Sequence, residues 1–176
     1  MKPFGRLYIF VEGSDDERFF LSVVVPLFKK FYTNVDILKY AQWKKKKVNL
    51  FIQSIETLKF DYIFTRDIDQ AKTVAEKANE MIARYEALRK DTITVVIAEI
   101  ESWYLAGLNK LESIDLRIDY LEDTQAIVKE DFNMIYNGRF RSRIDFMREI
   151  LKRFSISTAM DKNNSFRTFI AKYELQ

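Results

Sequence analysis

Acidic side chains follow the ends of three apolar segments of this chain. The segments are 6–11, 60–66 and 93–98, and the acids that follow them are Glu12, Asp67 and Asp69, and Glu99 and Glu101. Carboxylate oxygens are the ligands that hard divalent cations such as Mg²⁺ and Mn²⁺ prefer. Because clustered carboxylates repel one another and are costly to bury, a bound cation would stabilise them. We therefore expect a Mg²⁺ or Mn²⁺ site built from these side chains.

The apolar segments that precede these acids have the composition of buried parallel strands, rich in Val, Ile, Phe and Tyr. A further strand is predicted over 35–40, and helices are predicted between the strands. The predicted helices are 14–31, with a kink or break at Pro26, then 48–58, 70–89 and 100–108. This alternation predicts an α/β fold with a four-stranded, mostly parallel sheet flanked by helices.

The order of these strands decides whether the acids meet. In an open α/β sheet, ligand sites form outside the carboxyl ends of the strands. A strand order of 2-1-3-4 would make the first and third strands neighbours and bring Glu12 close to Asp67 and Asp69. Alternation of side chains along an extended segment lets Asp67 and Asp69 point the same way.

The last third of the chain has a different pattern, because no strong strand signal follows residue 108. Helices are predicted over 123–135, 141–154 and 165–173, with Gly138 between the first two. We expect two parts: an α/β domain over 1–108, and a helical extension over 109–176 that packs on it.

Composition limits the chemistry available to the chain. Among its 176 residues there is no Cys and no His, which excludes disulfides, thiol catalysis, a histidine base and a Cys-based zinc site. A net charge of +3 is compatible with a nucleic-acid partner. The sequence shows neither a signal peptide nor an apolar run of about 18–20 residues, so a cytoplasmic location without membrane contact is expected.

Basic residues suited to phosphate contact occur in three places. The run Lys44, Lys45, Lys46 and Lys47 follows Trp43, and Arg66 immediately precedes Asp67. In the extension, Arg139, Arg141 and Arg143 alternate along the chain. Such residues would bind backbone phosphate without selecting a base sequence. The alternative for each group is an ordinary solvated surface.

Each acidic residue also has a purely structural interpretation. Glu12 before Gly13 fits an ordinary turn between a strand and a helix. Asp67 and Asp69 could cap a helix that begins near Gln70. Asp16 lies among first-turn acids that suit a helix dipole. The carboxylate of Glu99, at a buried strand end, needs a partner that Arg66 or a lysine could supply instead of a metal.

Two segments together resemble the Toprim domain of topoisomerases, primases and nucleases of the OLD (overcoming lysogenization defect) type. They are Val11-Glu12-Gly13-Ser14-Asp15-Asp16-Glu17 and Arg66-Asp67-Ile68-Asp69. Glu12 matches the Glu of the Toprim motif, Asp67 and Asp69 match its Asp-x-Asp, and Asp16 matches a second acid of OLD-like members. The segment 98–106, Ala-Glu-Ile-Glu-Ser-Trp-Tyr-Leu-Ala, is similar to small stand-alone Toprim-like proteins found beside phage-defence genes. The resemblance spans about residues 6 to 108 and leaves the extension unexplained.

This resemblance implies hydrolysis of phosphodiester bonds in DNA or RNA with Mg²⁺ or Mn²⁺. The catalytic residues would be Glu12, Asp67 and Asp69, with Asp16, Glu99 and Glu101 as further candidate metal ligands. The scissile phosphate would contact Lys46, Arg66 or an arginine of the extension. The chain lacks the domain that supplies the nucleophilic tyrosine of topoisomerases, which favours hydrolysis over strand passage.

Two other functions stay open at this point. A Toprim-like chain can be a non-catalytic binding or regulatory module that acts with a partner protein such as an ATPase, or as a homo-oligomer. A phosphoacceptor domain of the response-regulator kind would use Asp67, but it needs a lysine at a later strand end, where this chain has Glu99.

Overall fold

A computed structural model describes residues 5–136 and 138–175 of the chain. The chain divides into two compact units, and the boundary in the sequence falls between Val95 and Val96. We call residues up to Val95 unit 1 and the residues from Val96 onward unit 2.

The sheet contains four strands: β1 (Gly5–Val11), β2 (Tyr32–Lys39), β3 (Asp61–Asp67) and β4 (Ile93–Val96). Their order is β2-β1-β3-β4 and the sheet is parallel, which confirms the predicted α/β class. This is the order in which the first and third strands are neighbours, as a meeting of their acids requires. Phe10 of β1 aligns with Leu38 of β2 and Phe64 of β3. The carboxyl ends of β1 and β3 therefore lie side by side.

The first helical segment of unit 1 is continuous but changes its winding. It consists of α1 (Ser14–Phe19), a π-helical stretch (Phe20–Val24) and α2 (Val25–Phe28). The backbone N–H of Val25 donates to the carbonyl of Phe20, a spacing of five residues. Pro26 has no N–H to donate, and its ring would collide with a carbonyl in a regular α-helix. The wide turn accommodates this proline where a kink or break was expected.

The other helices of unit 1 connect the remaining strands. They are α3 (Lys45–Thr57), α4 (Val74–Arg84) and a 3₁₀ turn (Lys90–Thr92). The helix α4 is shorter than the predicted 70–89, because Thr73 caps its start by accepting a hydrogen bond from the Glu76 N–H. At the other end, Tyr85 leaves the helix with extended backbone dihedrals.

Aromatic side chains form the centre of the core in unit 1. Phe10 and Phe64 stack with ring centroids 5.1 Å apart, and Tyr40 lies 4.3 Å from Phe64. The buried faces of α3 and α4 close this cluster with Ile52 and Met81. Buried apolar residues therefore lie directly beneath the strand ends that carry the acids.

Unit 2 contains six helices in the residues that the structure describes. They are α5 (Ile100–Ala106), α6 (Lys110–Asp115), α7 (Lys129–Tyr136), α8 (Arg143–Lys152), α9 (Ile156–Lys162) and α10 (Asn164–Lys172). The sequence did not predict α6 or α9, and it placed α5 in the α/β domain. Trp103 of α5 is fully buried and donates its indole N–H to Ser165 at 2.8 Å. Its ring packs on Phe166 and Phe169, which makes α5 part of the core of unit 2.

The buried side chain of Lys162, the last residue of α9, contacts the carboxyl end of α5. The ammonium group of Lys162 donates hydrogen bonds to the carbonyls of Leu105 at 3.3 Å and Leu108 at 2.6 Å. Burial lowers the pKa of Lys162 to about 8. This side chain adds a charged donor to the carbonyl groups at the end of the helix, where intrahelical partners run out.

Candidate functional site

Glu12 follows β1 directly, and its side chain reaches the end of β3. The backbone N–H of Asp67 donates to one carboxylate oxygen of Glu12 at 3.3 Å. The guanidinium group of Arg66 lies 2.8 Å from the other oxygen. Because β1 and β3 are adjacent and parallel, these contacts join the carboxyl ends of two strands.

Asp69 takes part in the same network through its Oδ2 atom. Arg66 contacts this atom at 3.1 Å, and the ammonium group of Lys77, on α4, contacts it at 2.5 Å. The side chain of Lys77 is only 7% exposed. We call the group of Glu12, Arg66, Asp67, Asp69 and Lys77 the strand-end site.

Burial and ion pairing act in opposite directions on the two carboxyl groups. Burial raises the pKa of Glu12 above its ordinary value, although Arg66 and the Asp67 N–H oppose this rise. Partial burial also acts to raise the pKa of Asp69, but the hydrogen bonds from Lys77 and Arg66 outweigh it and hold that pKa below its usual value. Glu12 is therefore the easier of the two to protonate.

Tyr40 supports the strand-end site from the buried side. Its hydroxyl donates to the carbonyl of Thr65 at 3.1 Å, and it also forms a hydrogen bond with Arg66. Burial, reinforced by the negative charge of Glu12, raises the pKa of Tyr40. Its neutral hydroxyl fixes the guanidinium group between the two carboxylates.

The hypothesis that Asp67 and Asp69 cap the next helix is wrong. The cap of α4 is Thr73, and the helix begins at Val74. Asp69 lies in a turn with a positive φ of 48°, a conformation that Asp tolerates better than most residues. The pair thus ends β3 instead of starting a helix.

Asp16 has a local structural role in the turn after β1. Its carboxylate accepts a hydrogen bond from the backbone N–H of Gly13 at 3.0 Å, and the side chain is largely buried. It lies in the first turn of α1, where a negative charge suits the helix dipole.

The other two predicted acids lie in unit 2, and each has a partner there. The carboxylate of Glu99 accepts a hydrogen bond from the backbone N–H of Lys129. Glu101 is buried and pairs with the guanidinium group of Arg143. Arg143 also lies over the ring of Phe132, 5.2 Å from its centroid. Its charge is thus used inside unit 2, where the sequence suggested contact with nucleic acid.

The strand-end site does not fit a resident metal ion in this arrangement. In residues 5–136 and 138–175, no group of three or more acidic side chains is placed to hold a metal. Arg66 contacts the carboxylates of Glu12 and Asp69, and Lys77 contacts Asp69 again. A cation would have to compete with these groups for the same oxygen atoms.

The lysine run lies at the start of α3. Lys47 covers the ring of Trp43 at 3.9 Å, and Lys45 pairs with Glu86 at 3.1 Å. A shallow hollow of about 410 Å³ adjoins the run and is lined by Lys44, Lys46, Lys47, Leu50, Phe51 and Ser54. The surface is basic at its rim and apolar within.

Two of the predicted arginines of the extension line a cleft in unit 2. The cleft has a volume of about 550 Å³, and it contains Arg139 and Arg141 but not Arg143. We call it the arginine cleft. Arg139 also donates a hydrogen bond to the carbonyl of Arg117.

The sequence did not predict Lys77 of the strand-end site, nor Tyr40, which supports that site. Lys77 carried a usable signal, because it is a charged residue at helical spacing from the apolar Val74 and Met81. A lysine on the inward face of a helix needs a hydrogen-bond acceptor, and a nearby carboxylate is one candidate. No comparable pattern marks Tyr40, whose role depends on tertiary packing.

Comparisons with known proteins leave the site to be judged from its own geometry. No protein-family model, curated protein or solved structure matches this chain. In the residues that the structure describes, every helix is too short or too polar to cross a bilayer.

Proposed function

We propose that this chain hydrolyses phosphodiester bonds in nucleic acid, as a Toprim-type nuclease of the cytoplasm. The catalytic residues in this proposal are Glu12, Asp67 and Asp69. The observation that carries it is the hydrogen bond from the Asp67 N–H to Glu12, which holds acids from two adjacent parallel strands at one edge of the sheet. Ligand sites of α/β sheets form at this edge.

The charges of the strand-end site support phosphate chemistry. The raised pKa of Glu12 suits a group that accepts and returns a proton during the reaction. Arg66 and Lys77 are two cations within contact distance of the acids, and both suit a phosphate oxygen. In the proposal, the substrate phosphate draws these cations from Glu12 and Asp69 and frees the carboxylates to act on water.

The dependence on Mg²⁺ or Mn²⁺ that the Toprim resemblance implies stays a prediction. The ion pairs of Glu12 and Asp69 would have to open before a cation could use their oxygens. The assay below therefore includes each ion separately and a chelator.

The test is a cleavage assay on labelled single-stranded DNA, double-stranded DNA and RNA, with Mg²⁺, Mn²⁺ or a chelator. Glu12→Gln and Asp67→Asn should each lower the rate by about 100-fold or more, since they remove a proton-transfer group or a strand-end acid. The matched control is Asp91→Asn. Asp91 lies just before the amino end of β4, whereas the strand-end acids lie at the carboxyl ends of β1 and β3. Its side chain is 73% exposed. Equal cleavage by wild type and Glu12→Gln, or no cleavage of any substrate, would contradict the proposal.

A second candidate function is a non-catalytic module that acts with a partner ATPase or with a second copy of the chain. The observation that favours it is the neutralisation of Glu12 and Asp69 by Arg66 and Lys77, which leaves these acids satisfied without substrate or metal. An inactive protein that forms a stable dimer in light scattering would support this function. An active monomer would exclude it.

A further inference from the structure

The arginine cleft lies entirely within residues 115–153 of unit 2. Its walls are the end of α6, the segment that precedes α8, and the outer face of α8. The charged residues that line it are Asp115, Arg139, Arg141, Asp145, Arg148, Glu149, Lys152 and Arg153. Its volume of about 550 Å³ falls within the range of ligand pockets.

The acids of the cleft are already paired with cations on α8 or just after it. Arg153 contacts Asp115 and Glu149, each at 2.7 Å. The remaining pairs are Lys152 with Glu149 at 2.5 Å and Arg148 with Asp145 at 3.4 Å. The hydrogen bond from Lys152 and, next in importance, the one from Arg153 hold the pKa of the Glu149 carboxyl below its usual value. Each of the three acids therefore already has a cationic partner within the cleft.

Two guanidinium groups of the cleft take no part in these ion pairs. Within the described part of the chain, neither Arg139 nor Arg141 lies in an ion pair with a carboxylate. Arg141 is exposed, and Arg139 is held in place by its hydrogen bond to the Arg117 carbonyl. The cleft thus presents an excess of two positive charges on groups that bind phosphate in a bidentate manner.

The backbone that carries these arginines is well supported. The Tyr136 hydroxyl donates to the carbonyl of Phe140 at 3.0 Å. The ring of Phe140 packs on Phe146 with centroids 4.9 Å apart, and Phe146 is fully buried. Phe140 therefore forms a fixed wall of the cleft between Arg139 and Arg141.

We propose that the arginine cleft holds the backbone phosphates of a nucleic-acid strand, with Arg139 and Arg141 as its phosphate contacts. This inference rests on the proposed function for the class of ligand. Because these contacts reach phosphate and not base edges, binding through the cleft is independent of base sequence and weakens with salt. Arg143 takes no part, since it pairs with the buried Glu101.

The test is binding of fluorescein-labelled single-stranded DNA and RNA of about 20 nucleotides, measured by anisotropy with the full chain in a chelator. Wild type should bind both strands. The double variant Arg139→Ala/Arg141→Ala should raise the Kd about tenfold or more. The slope of log K against log salt is negative, and the double variant should make it shallower by about 1.4, the value for two phosphate contacts on a single strand. The matched control is Lys110→Ala, an exposed cation on α6 outside the cleft, which should change the Kd less than about twofold.

The outcomes separate this inference from the proposed function. Equal binding by wild type and the double variant overturns the cleft assignment, and so does the absence of binding by wild type. If no substrate is cleaved but binding still depends on Arg139 and Arg141, the nuclease proposal fails and the cleft assignment stands.

Discussion

The strand-end site of unit 1 and the arginine cleft of unit 2 are both networks of acids and cations, but they differ in burial and in balance. In the strand-end site, Arg66 and Lys77 are shared among partly buried carboxylates. In the arginine cleft the paired side chains are more exposed, and two arginines exceed the available acids. In the strand-end site both cations are paired with acids, whereas the arginine cleft has two more cations than acids and can pair them with a ligand.

A count of charges alone therefore does not identify a binding surface. Arg66 and Arg141 are equally conspicuous in the sequence, yet Arg66 is engaged by Glu12 and Asp69. A ligand at the strand-end site must displace internal ion pairs, which opposes binding. A ligand at the arginine cleft meets two guanidinium groups that no described carboxylate pairs with, and it binds there without that penalty.

The largest expected effect is a difference in stability between two variants, each of which replaces the central arginine of one network. Arg66→Met leaves the carboxylate of Glu12 partly buried without its cation, and it should lower the free energy of unfolding by about 2–3 kcal/mol. Arg153→Met removes pairs that solvent already screens, and the loss should be at most about 1 kcal/mol. Urea unfolding of both variants measures the difference. Equal losses would show that the two networks are alike.

A second contrast concerns the glycines that border the two networks. A Cβ at Gly107 would overlap the ring of Phe154, which follows Arg153 of the cleft, so Gly107→Ala should destabilise the protein by about 1–3 kcal/mol. A Cβ at Gly13 would meet only Asp16 Oδ2 at 3.5 Å, an ordinary contact. Gly13→Ala should therefore cost less than about 1 kcal/mol. Thermal unfolding compares them, and a larger loss for Gly13→Ala would contradict the packing described for unit 2.

The smallest expected effect is a dependence on alkaline pH that arises in unit 2 alone. The pKa of Lys162 is about 8 in the folded chain and 10.5 when unperturbed, so the unfolded state binds more protons between these values. The free energy of unfolding should therefore rise with pH through this window, by about 1 kcal/mol from pH 8 to about 9.5.

The control for this pH effect is Lys162→Met, in which the rise should disappear. Measurements stop near pH 9.5 because tyrosines begin to ionise at about pH 10. The raised pKa of Tyr40 would then work in the opposite direction and lower stability as pH increases. The same rise in wild type and variant would show that Lys162 does not cause it.

Periodicity and composition were sufficient to predict the parallel four-stranded sheet, but they left its strand order open. Apolar segments of strand length end at Val11 and Asp67, and the chain reverses over intervening helices, which leaves few possible topologies. The short helices α6 and α9 were missed although each has a capping residue. Asn109 and Ser155 accept hydrogen bonds from the first turns, but helices of six and seven residues show too few turns for periodicity to emerge.

The sequence was sufficient to predict the acids of the candidate site, but not the cations with which they pair. Sequence position places Glu12 and Asp67 at strand ends, and the observed strand order makes those ends neighbours. The approach of Lys77 to Asp69 depends on where α4 begins, and Thr73 decides that by capping. The partner of Glu101 lies in α8, far along the chain, and only tertiary packing brings Arg143 to it.

The π-helical stretch between α1 and α2 has a consequence for how this chain aligns with any relative. A π turn contains one more residue than the α turn it replaces, so it behaves as an insertion inside a helix. A relative with a regular helix would be one residue shorter between Asp16 and Pro26. Its alignment would need a gap opposite Phe20–Val24, because a gap in a neighbouring loop would shift either Glu12 or the buried residues of α2 out of register.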